Sequence, residues 1–575
     1  MTTKTRELFY EKYDILDDPK CNPTFDEVLG MSQSDFRGWL THFRKEVVKA
    51  WDERGQPPRV GYNRDEIIGN FKEMLKDHSL KWMETTDELT GKKDVIRNTS
   101  TAGNAVNQWF PTMMKTRITY GTEVGEAKSI YDYFARDDLY ETFVTYATRH
   151  FKRDSFYHYS APISVGDKIV GTSTNAKDVE QFIASFPEGT NHDWYLCPVK
   201  EDKQYTGFNT DLKNKKNLSI DESELKHLLD KIPDHRKTNV DFSKWNTYTI
   251  RVYEKGQRLF PVGLKAFRIS FCQYAVNFPP LTARYLYERY THPITGPEGR
   301  TLPTIIYDPS SGWGGRLLGA MAVNNNRRIH YVGTDPNMDH VGPDGWTKYQ
   351  DFAAFFNHNI REKTLYPEYG HSFHLFQSGS EVIRDHPDFA PYKGRVDLVF
   401  TSPPYFAKEV YSEDAGQSCH KFAQYDSWRD GFLKPTLETA VEWLKPGGYL
   451  IWNIADAFFG KETLPLEKDS CDILKSLGME YVETLKMSLA QMPGGNRLEE
   501  TGEFEEVIEH TLHETTTKKV PVLTGKMKNF CQVKKESGKG KMFLKYEPCF
   551  VFRKPFDEAP CGIPPVANES QSNPG

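Results

Sequence analysis

Between Thr304 and Asp335 the chain carries the pattern that most restricts its fold: strand, glycine-rich turn, helix, second strand, acid. Thr304-Ile305-Ile306-Tyr307 reads as the first strand, and Asp308-Pro309-Ser310-Ser311-Gly312-Trp313-Gly314-Gly315 as a tight turn. Arg316 to Val323 continues as an amphipathic helix, and Ile329 to Thr334 supplies a second strand that ends at Asp335. Glycines allow the backbone to approach a ligand closely, and an acid at that place suits the hydroxyls of a ribose. Asp335 stands twenty residues after Gly315, where such an acid is expected. The pattern is not the dinucleotide Gly-x-Gly-x-x-Gly, since position 317 is Leu. A turn that merely joins strand to helix is the plainer alternative; with the acid in place, a nucleoside cofactor is the better reading.

A second signal lies at Ser402-Pro403-Pro404-Tyr405. It follows the apolar run Val396-Asp397-Leu398-Val399-Phe400-Thr401, which reads as a buried strand opening into a loop. The exocyclic nitrogen of cytosine or adenine is conjugated to its ring, so its lone pair is a poor nucleophile. A hydroxyl and a backbone carbonyl that accept its hydrogens push it toward a tetrahedral, reactive geometry. Two consecutive prolines stiffen the turn and direct that carbonyl, because proline fixes φ and has no N–H. Tyr405 adds an aromatic face for an extruded base. Alone, the tetrapeptide could equally be a Pro-Pro loop after a core strand.

The tetrapeptide resembles the Ser/Asn/Asp-Pro-Pro-Tyr/Phe motif of the DNA amino-methyltransferases. The turn from Asp308 to Gly314 resembles their S-adenosylmethionine loop, Asp-Pro-Phe-x-Gly-x-Gly, with Ser310 in place of Phe. Asn277-Phe278-Pro279-Pro280 and the residues to Tyr290 resemble the motif that caps the methionine end of the cofactor, with Leu281, Tyr285 and Leu286 facing inward. The order is capping motif, glycine loop, acid, then catalytic turn. Downstream, a helical stretch from Trp428 to Leu444 interrupted by Pro435, a Lys445-Pro446-Gly447-Gly448 turn and a strand from Tyr449 agree with methyltransferase folds. Tyr546 to Lys554 resembles the closing strand, so the resemblance runs from about Phe260 to Lys554.

The resemblance implies an α/β fold, a Rossmann-like methyltransferase sheet with helices on both faces, over residues 241–555. It implies S-adenosylmethionine as cofactor, with Phe278, Asp308, Ser310, Gly312, Gly314 and Asp335 around it. The family's Gly-Asp-Ser/Ala, whose acid meets the adenine amino group, maps onto Phe376-Gln377-Ser378-Gly379-Ser380-Glu381, where Ser380 or Glu381 substitutes. Ser402, Pro403, Pro404 and Tyr405 are the implied catalytic residues. Methyl transfer to an exocyclic amino nitrogen of a flipped DNA base would follow by direct displacement, without a metal. Serine at the first motif position leans toward cytosine N4. Adenine N6, an RNA base, a protein amide, or an inactive scaffold that binds cofactor and DNA remain as alternatives, and whether a restriction nuclease accompanies the chain is open.

Net charge is −6, which does not announce a nucleic-acid partner. Charge is uneven, however: nine lysines lie between Thr515 and Lys545 against Glu536 alone, and Lys534, Lys535, Lys539 and Lys541 are the candidate DNA contacts. Eight scattered cysteines with no Cys-x-x-Cys pair argue against disulfide and zinc frameworks and suit a reducing, cytoplasmic setting. No long apolar span or signal-peptide pattern occurs, so a membrane is not expected as partner. Residues 1–240 read as a mainly helical or α+β extension whose role, DNA recognition included, is open. Ser34 or Asp35 is the expected cap of a helix with Phe36, Leu40, Phe43, Val47 and Trp51 on one face. A second, aromatic-rich helix is expected over about Glu126 to Lys152, and residues 556–575 read as a disordered tail.

Overall fold

The computed structural model describes residues 15–54, 64–76, 79–118, 127–144, 160–164, 192–199, 247–256, 258–259, 275–299, 301–323, 327–360, 371–459, 462–489, 500–510, 515–523, 529–535 and 540–556. Its centre is an eleven-stranded sheet. Ten of these strands are β1 (Glu84–Thr85), β2 (Val95–Ile96), β3 (Thr301–Asp308), β4 (Arg328–Thr334), β5 (Ser372–Phe376), β6 (Val396–Thr401), β7 (Leu444–Asn453), β8 (Glu480–Ser488), β9 (Phe530–Lys534) and β10 (Lys541–Arg553). Ile294–Thr295 adds a short hairpin arm to β3. The helices that matter below are α1 (Gln33–Arg54), α2 (Arg64–Leu75), α3 (Pro280–Tyr290), α4 (Gly315–Met321), α5 (Lys348–Asn359), α6 (Lys434–Trp443) and α7 (Leu466–Ser476).

Across the sheet the order is β1-β2-β8-β10-β7-β6-β3-β4-β5, with β9 paired to β10. The run β5-β4-β3-β6-β7 is parallel, and β10 lies antiparallel between β7 and β8. From β3 the chain steps outward to β4 and β5, then returns to the other side of β3 as β6. The direction of winding therefore reverses between β3 and β6. In open α/β sheets, ligands bind at such a switch point, outside the carboxyl ends of the strands. Both sequence signals sit there: Asp308 closes β3 and Ser402 follows β6.

All six residues of β6 are buried, as its continuous apolar run implies for a central parallel strand covered on both faces. Leu398 and Phe400 enter a core with Phe71, Leu281, Leu286, Leu317, Leu318, Phe352 and Phe356, which brings α2 to α5 onto one face. Val399 enters the opposite core with Trp428, Leu437, Trp443, Leu450, Leu466 and Leu474, which carries α6 and α7. Asp397, the lone acid of that run, is held by the Ile305 amide at 2.7 Å and by Lys445. The helical run around Pro435 is continuous rather than broken: a π-turn at Arg429–Leu433 passes directly into α6, so proline falls in its first turn.

Two expectations for the N-terminal part need correction. Ser32, not Ser34 or Asp35, caps α1: its hydroxyl accepts from the Asp35 amide at 3.1 Å and donates to that residue's carboxylate at 2.6 Å. Phe36, Leu40, Phe43, Val47 and Trp51 are all buried on one face, as the spacing predicts. The expected single helix after Glu126 is broken among its described residues, where a helix at Ile130–Ala135 stops at extended Arg136. Buried Arg44 donates to the carbonyls of Phe134 and Arg136 at 2.8 and 2.7 Å, and so takes oxygens that a longer helix would use internally.

Residues 84–118 share the core of the region assigned to 241–555. β2 pairs parallel with β8, and buried Lys486 on β8 meets Asp87 at 2.7 Å and Asp94 at 3.0 Å. Ser160–Ser164, His192–Val199 and Thr247–Glu254 form a separate antiparallel sheet, and Glu500–His510 pairs with Thr515–Leu523. Among the described residues no helix is long and apolar enough to cross a membrane.

Candidate active site at the switch point

Asp308 organises the glycine loop. Its fully buried carboxylate accepts from Arg316 Nε at 2.6 Å, from the Tyr331 hydroxyl, from Thr401 Oγ1 at 2.7 Å and from the Ser310 amide at 3.1 Å. It thereby ties β3 to β4, to β6 and to α4. Arg316 also donates to the Ser310 carbonyl, which fixes the turn's path. Ser310 is half-buried at the rim of that turn.

Gly312 and Gly314 have φ of 58° and 72°, a region that side chains with a Cβ rarely adopt. Gly315 is required for a different reason: a Cβ there would meet the Phe278 carbonyl oxygen at 2.3 Å. The glycine thus lets α4 begin directly against the segment that leads into α3. Phe278 itself is buried, edge-on to Phe400 at 5.1 Å. Asn277 beside it donates to the Trp313 carbonyl at 2.8 Å and pins the loop from the other side.

Asp335 accepts from the Gly312 amide at 2.7 Å and from the Asn337 amide at 2.9 Å, through different oxygens. Each carboxylate oxygen can accept a second hydrogen bond, and the side chain is 12% exposed, so capacity for a ligand remains. Burial pushes its carboxyl up to about 6. Ser380 is buried, with its hydroxyl 2.9 Å from that of Thr436 on α6. Glu381 follows with its side chain buried, paired with half-exposed Lys421 at 2.7 Å.

The Ser402-Pro403-Pro404-Tyr405 turn leaves Ser402, Pro404 and Tyr405 half-buried and Pro403 buried. The Tyr405 hydroxyl accepts from the Ala455 amide at 3.2 Å, just beyond β7, which anchors the tip of the ring. Phe406 follows with φ of 54°. A left-handed conformation in a bulky residue is strained, and such strain collects at functional turns. Its ring holds the conformation, buried edge-on to Tyr425 and Trp428 at 5.8 Å each. The bond from Thr401 to Asp308 joins this turn to the glycine loop, so the two sequence signals meet in space.

The segment after the turn is held by the N-terminal part of the chain. Glu409–Val410 pairs antiparallel with Arg117–Ile118. Arg117 bonds Asp132 at 3.2 Å and reaches Glu413 in the loop. Tyr411 donates to Glu409 and packs edge-on to Trp313 of the glycine loop at 5.4 Å. Phe110 lies against Gly314, where a Cβ would approach its ring at 2.8 Å. Sequence reasoning missed this contribution, because a two-residue strand has no periodicity to read. Arg117→Ala should remove both ion pairs; for a guanidinium one-third exposed, about 1 kcal/mol is a fair screened loss. Trypsin should then cut at Lys408 or Lys421 about fivefold faster in the variant, and equal rates would contradict the clamp.

The lysines lie apart from this centre. Lys534 and Lys541 face each other on the β9–β10 hairpin, with their ammonium groups 3.9 and 3.3 Å from Glu88. Lys535 is exposed beside them, and Lys539 lies outside the described residues. From Lys541 to Glu547, beside the site, six residues of strand span roughly 20 Å.

Residues 396–545 match the N6/N4 DNA methylase family. The match begins at β6, takes in the Ser-Pro-Pro-Tyr turn, and ends within β10; the glycine loop lies before it. The structure described as a DNA modification methylase from Thermus thermophilus, complexed with S-adenosyl-L-methionine, is 21% identical, covering 31% of this chain and 54% of its own, with a TM-score of 0.18. An S-adenosylmethionine-dependent O-methyltransferase from Thermotoga maritima is 10% identical, covering 55% of this chain and 77% of its own, with a TM-score of 0.22. The chain thus spans about half the length of the Thermus relative. No curated protein matches the sequence.

Proposed function

We propose that this chain is a DNA methyltransferase that moves a methyl group from S-adenosylmethionine to the exocyclic amino nitrogen of a flipped base, cytosine N4 in preference to adenine N6. The observation that carries the reading is the Thr401–Asp308 bond, which sets a nucleoside-type glycine loop against a Ser-Pro-Pro-Tyr turn at the sheet's switch point. The residues fit the cofactor. Asp335 keeps free acceptor capacity for ribose hydroxyls, and the backbone at Gly312 leaves room beside the loop, where a Cβ would find no atom nearer than 3.8 Å. Asp308 and Phe278 contribute by shaping that loop and its wall. When bound, the cofactor supplies an electrophilic methyl group. Ser402 and the Pro403 carbonyl accept the amino hydrogens and raise the nitrogen's nucleophilicity, while Tyr405 stacks on the base. Lys534, Lys535 and Lys541 meet phosphates away from the reacting centre, where contacts position DNA without reading it. The serine in the first motif position is what favours cytosine.

Transfer of a labelled methyl group from S-adenosylmethionine should reach DNA. Label in RNA or protein alone would overturn the DNA assignment. Asp335→Ala should weaken S-adenosylmethionine binding about 10- to 100-fold by calorimetry, since a charge-assisted hydrogen bond contributes about 1.5–3 kcal/mol. The ionised form accepts from ribose, and its pKa is raised to about 6. Affinity should therefore be full above that value and fall as pH drops through it; a flat profile with an unaffected variant would mean that Asp335 serves the loop alone.

A further inference from the structure

Methylation of an amino group requires that the nitrogen shed a proton, and the catalytic turn offers no evident acceptor. Ser402 carries a neutral hydroxyl, and the Pro403 carbonyl only accepts a hydrogen bond. We propose that Glu547 is a further catalytic residue, its carboxylate taking that proton. The inference rests on the amino-methyltransferase reading.

Placement comes from the strand ladder. β7 and β10 pair up to Asn453 opposite Cys549, and the Ile454 amide then reaches the Pro548 carbonyl at 3.3 Å. The next residue on one strand is Ala455, which donates to the Tyr405 hydroxyl; the next on the other is Glu547. Glu547 therefore stands beside the anchor of the ring on which the base would stack. Its cross-strand neighbour is Met487, which is buried in the same core as Phe278 and Phe400. Cross-strand partners point to one face, so Glu547 lies on the side of the sheet that carries the Phe278 wall.

Glu409 approaches from the loop. It follows the catalytic turn by four residues, is fixed by pairing with Ile118, and accepts from the Tyr411 hydroxyl. Both glutamates are half-buried, and desolvation is the largest influence on each carboxyl. The charged and titratable groups about them are Tyr405, Tyr411, Lys408, Lys545 and Cys549. Burial first, and the Glu409 charge second, push the Glu547 carboxyl up to about 7, while Lys545 pulls it down. A group that changes charge near neutrality can take a proton and release it to water within one cycle.

The balance is simple. The nitrogen lone pair forms the N–CH3 bond as the S–CH3 bond breaks, its electrons passing to sulfur to leave a neutral thioether. The proton on nitrogen passes to the Glu547 carboxylate and then to solvent. Single-turnover rates should rise with pH and level off above about 7 in the parent protein. Glu547→Gln should slow the chemical step on the order of 10²-fold and erase that limb, with S-adenosylmethionine affinity unchanged. Glu547→Asp should recover part of the rate. Glu409→Gln, which removes a like charge, should move the limb to lower pH and keep most of the rate.

Stability supplies a separate readout. A carboxyl whose pKa is raised on folding stabilises the fold less as pH climbs from its unfolded value, about 4.3, through about 7. The neutral amide escapes that cost, so Glu547→Gln should melt no lower than the parent at pH 8. A variant with the parent's rate and pH limb would overturn the proposal. So would lost rate accompanied by lower melting and weaker cofactor binding, which would make Glu547 structural. If the parent itself binds S-adenosylmethionine but methylates no substrate, the failure lies in the functional reading, and this inference falls with it.

Discussion

Asp308→Ala is expected to lower the unfolding free energy by about 3–5 kcal/mol, because it leaves the buried Arg316 guanidinium without its counter-charge. Three further donors, on Tyr331, Thr401 and the Ser310 amide, lose their acceptor at the same time. Breaking one partner of a buried pair costs far more than the net value of the pair, since the other charge stays desolvated. The midpoint of urea unfolding, followed through the buried tryptophans, is the readout. Asp308→Asn should fall between parent and Ala, because an amide keeps one acceptor oxygen but no charge. A loss below about 1 kcal/mol for Ala would mean that the loop is held by its glycines and its packing against Phe110 and Phe352 instead.

Tyr405→Ala is expected to cut turnover about 10- to 100-fold while leaving S-adenosylmethionine affinity and the fold intact. Stacking a base on an aromatic ring contributes roughly 1–3 kcal/mol, and the truncated side chain offers none. The structure adds a second effect, because the Ala455 amide loses the hydroxyl that it now reaches at 3.2 Å. Tyr405→Phe separates the two. It keeps the ring face and forfeits only that hydrogen bond, about 0.5–1.5 kcal/mol, so most activity should survive. An Ala variant with the parent's turnover would remove Tyr405 from the site.

What could be read from the sequence divides along physical lines. β3, β4 and β6 were legible because central parallel strands are covered on both faces and appear as mainly apolar runs, interrupted in β4 by His330 and in β6 by Asp397. The glycine turn was legible because backbone with positive φ leaves little choice of residue. The carboxylate's partners Arg316, Tyr331 and Thr401 were not, since nothing local shows that they meet at Asp308. Ser380 shows the same limit: its burial against Thr436 depends on where α6 packs. The contribution of Phe110 and Arg117 escaped entirely, because it is made by non-local contacts across about 200 to 300 residues. Glu547 was hidden inside a stretch read as a closing strand, its significance set by the residue opposite rather than by its own neighbours.

Mass spectrometry of nucleosides from duplex DNA treated with the protein and S-adenosylmethionine carrying a deuterated methyl group decides whether the two elements form one centre. Trideuterated N4-methylcytosine is expected, produced by the parent chain and strongly reduced with Tyr405→Ala. Trideuterated N6-methyladenine would keep the site and overturn the cytosine preference. Label absent from every nucleoside, with the cofactor demonstrably bound, would contradict the central claim that the turn at Ser402 and the loop at Asp308 form one amino-methylating centre.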